Sequence, residues 1–157
     1  MSDSLQPIVP LNLFYSYSHE DEELRNKLEK QLKLLNREGY ISEWHDRKIL
    51  SGSEIDNEIS DKLEQADIIL LLISADFIAS DYCYEIEMTR AMERHQSNDA
   101  IVVPVILRTC EWHSAPFGKL SALPRDGKAI TGPDWHSEDE AFTDVAKGIR
   151  KLVEKKK

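Results

Sequence analysis

What this chain lacks narrows its chemistry before any residue is singled out. There is no GxxxxGK[ST] stretch, so no phosphate-cradling loop with its lysine. No GxGxxG follows the first apolar run, which disfavours a Rossmann dinucleotide fold. There is no GxSxG elbow, and no spacing of serine, histidine and aspartate selects a hydrolase triad. The only cysteines, Cys83 and Cys110, follow different apolar runs and form neither a CxxC pair nor a zinc spacing. Two isolated thiols, with no basic-then-apolar leader at the N-terminus, are the pattern expected of a reducing cytoplasmic setting. No apolar run approaches the ~20 residues that span a bilayer, so no membrane partner is expected. Positive charge is also scarce. Twenty Lys and Arg face 29 Asp and Glu, for a net charge of −9. Such a field repels phosphate backbones, and nucleic acid is not the expected ligand. Internal repeats and low-complexity segments are absent.

What is present suits one folded domain: 157 residues, 41% hydrophobic and 31% charged. Its centre is Ile68 to Ile73, six apolar residues without alternation. A strand with one polar face would alternate, so this run reads as a strand covered on both faces. Leu11 to Tyr17 reads as the first strand, after a lead-in over 1–10. Ser18 is placed to cap a helix carrying Leu24, Leu28, Leu32 and Leu35, which Gly39 closes. Tyr40 to Trp44 is a short second strand, and His45 to Gly52 a polar loop. Ser53 is a possible cap of a second helix with Ile55, Ile59 and Leu63 on one face. After the central strand a third helix begins near Ser80 or Asp81, with Tyr84, Met88, Ala91 and His95 on one stripe. Ala100 to Leu107 is the fourth strand, and Pro104 marks it as an edge or an irregularity. Lys128 to Ile130 is a candidate fifth strand. Ser137 opens a last helix with Phe142, Val145, Ile149 and Val153 inward.

Strands alternating with helices predict an α/β fold, a flavodoxin-like five-stranded parallel sheet of order 2-1-3-4-5 with helices on both faces. Ligands of such sheets sit beyond the carboxyl ends of the strands. That gathers Tyr15 to His19, the loop after Trp44 and Ser74 to Glu87 at one edge. A phosphoacceptor receiver shares this order but needs an acidic cluster at the strand ends. Here Asp46 and Asp76 lie in loops and the first strand ends in Ser16-Tyr17-Ser18.

Three stretches carry a family resemblance. Phe14 to Asp21 resembles the opening box of Toll/interleukin-1 receptor (TIR) domains: an apolar strand, a serine, then a short gap to an acid. Trp44 to Ile55 resembles the family's BB loop, with an acid, the basic pair Arg47-Lys48 and a glycine before the second helix. Ile73 to Cys83 resembles the third-strand exit, a serine, an aromatic and then Ser-x-aromatic-Cys. The resemblance covers roughly 11–151 and is closest to bacterial members. The domain is taken as 11–154, with the basic tail 155–157 as the possible start of a linker to a further domain.

The resemblance implies one of two roles. Many bacterial and plant TIR domains cleave NAD+ at the nicotinamide–ribose bond with one glutamate on the third helix, and the product is linear or cyclic ADP-ribose. Animal members mostly dock. For the first role NAD+ is the substrate, and no cofactor or metal is implied. Other TIR domains are implied as partners in a homo-oligomer or filament, a fused C-terminal sensor as a possible one, and immune, antiphage or cell-death signalling as the setting. A carboxylate suits this chemistry because loss of neutral nicotinamide leaves an oxocarbenium-like ribose.

The family's pattern, aromatic-Cys-x-x-Glu, lands on Ile86 here, with Glu85 and Glu87 on either side. The following Met88, where Glu-Leu is usual, favours Glu87 as the catalytic residue. On that choice Cys83 rather than Tyr82 takes the family's aromatic position, which puts cyclisation in doubt. On an α-helical wheel Glu87 lies ~60° off the apolar stripe and Glu85 ~100° off the other way. Both are then surface positions, and solvated helix charge is the plainer reading of either. The substrate-binding candidates are Ser16 and Tyr17, lining the cleft or packing in the core; Trp44, stacking on a base or ending its strand in packing; Arg47 and Lys48, meeting the pyrophosphate or a neighbouring domain; His19; and Cys83, otherwise a small buried residue. Asp21 reads as a helix-start charge.

Overall fold

In the computed structural model of the chain, residues 9–43 and 61–156 are described. β1 (Leu11–Ser16) leads through a short 3-10 turn (His19–Asp21) into α1 (Glu22–Gln31) and α2 (Lys33–Arg37). The helix expected as one piece is thus two, joined at Leu32. Leu28, Leu32 and Leu35 still share the buried face. Gly39 follows at φ +84°, the left-handed conformation that ends helices at low cost for glycine. β2 is Ile41–Glu43, and α3 is described over 61–65. The polar loop and the residues Trp44, Arg47, Lys48, Ser53, Ile55 and Ile59 lie outside the described residues.

β3 (Ile68–Ile73) is fully buried along its length and lies between β1 and β4 (Ile101–Ile106). Its unbroken apolar run is divided by the pleat. Ile68, Leu70 and Leu72 enter one core with Leu28, Phe142 and Val145, while Ile69, Leu71 and Ile73 enter a second with Phe77, Met88 and Ala91. The first core is closed by α1, α2 and the terminal helix α6 (Glu138–Lys156), whose Phe142, Val145, Ile149 and Val153 are all inaccessible. The second lies under α4 (Ala75–Ala79), a π-helix (Asp81–Met88) and α5 (Thr89–Gln96). α4 was not expected. Ser74 ends β3 and caps it, accepting a hydrogen bond from the Phe77 amide at 3.1 Å.

The expected five strands are four among the described residues, in the order β2-β1-β3-β4, all parallel. Lys128 to Ile130 forms no strand. What covers the outer edge of β4 is an isolated bridge between Val105 and Leu123, together with single amide bonds from Ile130 to Ile106 and from Thr131 to Leu107. Pro124, Gly127, Gly132 and Pro133 punctuate this segment too closely for a ladder to extend. Pro104 sits inside β4 without harm. The Ile106 amide, two residues on, donates outward to Leu123, so the nitrogen of Pro104 also faces the outer edge, where the ladder to β3 needs no donor. No helix among the described residues is long and apolar enough to cross a membrane.

Two-sided burial gives β3 side chains no face on which to relax. Leu70→Ala is therefore expected to lower the unfolding free energy by about 2–5 kcal/mol. Urea unfolding measures this, and a loss below about 1 kcal/mol would contradict burial on both faces.

Candidate functional site

Parallel strands bring their carboxyl ends to one edge, and three of those ends carry polar side chains: Ser16 as the last residue of β1, Ser74 after β3 and Arg108 after β4. Each makes an ion pair or hydrogen bond that links separate elements.

Ser16 lies on the second-core side of the sheet and is fully buried. Its hydroxyl donates to Glu87 Oε1 at 2.6 Å. Glu87 is itself only 4% exposed, so it is not the surface charge expected from an α-helical wheel. The helix that carries it is the reason. Asp81–Met88 is wound as a π-helix, capped by Ser80, which accepts from the Cys83 amide at 3.1 Å. Cys83, Glu87 and Met88 all face inward, while Glu85 and Ile86 face out and Tyr84 is half-buried. The stripe expected to start at Tyr84 starts at Cys83. Substituting Glu87 is accordingly a core substitution, not a surface one.

Cys83 donates its thiol to the Tyr17 carbonyl at 3.3 Å. Burial pushes this thiol up from an ordinary 9.0 to about 11; the Ser80 hydrogen bond opposes the rise, and the Glu87 and Asp21 charges add to it. Tyr17 contributes this carbonyl, but its ring belongs to the other side of the sheet. It packs against the first core, with the Arg25 guanidinium 5.7 Å from its centre and 4.5 Å from that of Tyr15. His19 is exposed in the 3-10 turn. The structure thus brings together Ser16, Cys83 and Glu87, with the backbone of Tyr17. Trp44, Arg47 and Lys48 fall outside the described residues.

A second cluster went unrecognised in the sequence. Asp21, read as a helix-start charge, is 1% exposed and anchors three strand exits. One carboxylate oxygen accepts from the Ser74 hydroxyl; the other accepts from Arg108 Nε at 2.8 Å. Arg108 also donates to Asp76 and is half-exposed. The hydrogen bonds it donates to Asp21 and then to Asp76 raise its pKa above the ordinary arginine value. The signal was position. Ser74 and Arg108 stand just beyond the carboxyl ends of buried strands. Nothing local, however, distinguishes Asp21 from Glu20, Glu22 and Glu23. Among the described residues no group of three or more His, Cys, Asp or Glu is placed to hold a metal ion.

A four-stranded parallel sheet, covered on both faces and holding a buried acid beyond the carboxyl ends of its strands, places the chain with the doubly wound α/β domains that carry their sites at that edge. The chain belongs to the TIR domain family, whose model matches residues 13–147. It is 62% identical over 142 residues to an uncharacterised protein, y4lF, of Sinorhizobium fredii; the match takes in 90% of this chain and 43% of that protein. The chain thus spans less than half of that relative's length. Among solved structures, it is similar to the TIR domain of the Toll-related receptor TRR-2 from Hydra magnipapillata, with a TM-score of 0.54 and 20% identity, over 90% of this chain and 95% of that one. It is also similar to the TIR domains of the activated Roq1 resistosome recognising the pathogen effector XopQ, with a TM-score of 0.50 and 23% identity, over 64% and 59%. At such identities the likeness speaks for the fold.

The Cys83 environment predicts a stability change with pH. The unfolded thiol ionises near 9.0 and the folded one near 11, so the thiol's contribution is complete below about pH 9 and is lost as pH rises toward 11. Unfolding of the wild type and of Cys83→Ala, compared from pH 8 to 11, should show the wild type losing stability faster over that window. Parallel curves would contradict a buried, protonated Cys83.

Proposed function

We propose that this TIR domain hydrolyses NAD+ at the nicotinamide–ribose bond, with Glu87 as the catalytic carboxylate. The observation that carries this reading is the seating of Glu87: a carboxylate at the carboxyl edge of the sheet, with one oxygen held by the Ser16 hydroxyl at 2.6 Å. A carboxylate oriented in advance costs no reorganisation when positive charge develops on the ribose. The C–N bond breaks with its electron pair going to the pyridinium nitrogen, so nicotinamide leaves neutral. Water then adds to the ribosyl cation and yields ADP-ribose and a proton. Ser16 orients the carboxylate. Cys83 and the Tyr17 backbone wall the same corner, and His19, Trp44, Arg47 and Lys48 are the further side chains assigned to the nucleotide. The setting proposed with it, on the family resemblance, is cytoplasmic immune or cell-death signalling, with NAD+ as substrate and no cofactor.

One observation favours a second reading. Glu87 is only 4% exposed, so the isolated domain offers its carboxylate little access. Either the domain docks without turnover, or a second TIR domain packed against it opens the site. The Roq1 structure is described as a resistosome, and assembly of copies of this domain is the corresponding proposal here. The relative's greater length leaves room for a fused sensor that would drive it.

The experiment is nicotinamide release from NAD+ across a range of protein concentrations. Turnover should rise faster than linearly, and charge reversal at Arg47 and Lys48 should weaken that dependence. Glu87→Gln should lower turnover by ~100-fold or more, roughly 3 kcal/mol of barrier. The exposed Glu85→Gln should retain most activity. Equal cleavage by wild type and Glu87→Gln would remove Glu87 from the chemistry. No cleavage by any form at assembling concentrations would leave the docking reading.

A further inference from the structure

A π turn closes its hydrogen bonds at i→i+5 rather than i→i+4, so it holds one residue more than an α turn. Residues five apart then share a face, as residues four apart do in an α-helix. Asp81–Met88 shows this register in its burial. Cys83 and Met88, five apart, are both buried. In an α-helix they would lie about 140° apart, and Tyr84 would sit above Met88 instead. The residues on the opposite side, Glu85 and Ile86, are exposed, and Ile86 is an apolar side chain left 53% exposed. A short extruded pair opposite the buried face is where a surplus residue goes.

We infer that the π turn contains one spare residue, carried at Glu85–Ile86, and that its extrusion is what seats Glu87 against Ser16 while Cys83 and Met88 stay in the core. The departure from the aromatic-Cys-x-x-Glu spacing is then a one-residue insertion absorbed by the helix. Tyr82, five residues before Glu87, takes the place one turn ahead of the carboxylate, in place of the Cys83 expected from counting. Excising either Glu85 or Ile86 returns the segment to an α turn in which Tyr82 and Glu87 are four apart, Cys83 and Met88 are four apart, and Cys83 and Glu87 are three apart. All of these pairs share a face in an α-helix. This is an inference about how Glu87 is positioned, and it stands apart from whether NAD+ is the substrate.

The test is thermal unfolding, without any ligand. Ser16→Ala, Glu87→Ala and the double variant are made in the full chain and again in the chain lacking Ile86. In the full chain the two single losses should be non-additive by roughly 3 °C or more, the mark of a direct contact. The same non-additivity should persist after deletion of Ile86, and the deletion itself should leave Tm within roughly 3 °C of wild type. Deletion of Glu85 should behave alike. Deletion of Glu93, exposed on the regular α5, is the comparison and should cost several times more, because that helix has nothing spare. Four results would overturn the inference. These are additive losses in the full chain, loss of the coupling on deletion of Ile86, failure of both the Glu85 and Ile86 deletions to fold, or a cost of those deletions equal to that of Glu93.

Discussion

The structure depends on the burial of β3 on both faces. Six apolar side chains, alternately assigned to two cores, need helices above and below, and helices on both faces require crossover connections between parallel strands. Parallel strands then point their carboxyl ends the same way. The collection of Ser16, Ser74 and Arg108 at one edge is a consequence of that packing and does not need a separate cause. A strand buried on one face only would have permitted hairpins and scattered these residues.

At that edge two buried carboxylates are held in different ways. Asp21 has the Ser74 hydroxyl on one oxygen and the Arg108 guanidinium on the other. A buried acid with a cation beside it is an anchor: removing its partner would strand a charge in the core. It ties the turn after β1 to the exits of β3 and β4. Glu87 has the neutral Ser16 hydroxyl on Oε1 and the neutral, protonated Cys83 among its neighbours. The two acids also act on the same thiol, both raising its pKa. The fold thus ties one carboxylate to a hydroxyl and a guanidinium and orients the other through the Ser16 hydroxyl.

Much of this was legible in the residues. The unbroken run at Ile68 to Ile73 announced a covered strand, and Phe142, Val145, Ile149 and Val153 announced the inner face of the last helix. Glu87 is singled out in the sequence by the family resemblance alone, and its burial was not legible there. An α-helical wheel placed it at the surface, because nothing in Asp81 to Met88 declares a π turn before the neighbouring core is known. Asp21 was hidden among four consecutive acids, since inward direction is set by the 3-10 turn that Ser18 opens and by Arg108, 87 residues away. The fifth strand was misread because Lys128 to Ile130 has neither the length nor the flanks to pair, and only Ile130 is a good strand former. Ile130 and Thr131 each donate a single hydrogen bond to an edge that Leu123 also bridges.

If Glu87 is the group that meets the substrate, the structure of the assembled domain with a carbocyclic NAD+ analogue, which cannot lose nicotinamide, should show it. The ribose-like ring is expected within hydrogen-bond distance of the Glu87 carboxylate, with Ser16 still bonded to Oε1. An analogue bound elsewhere, with Glu87 as enclosed as in the isolated domain, would contradict it.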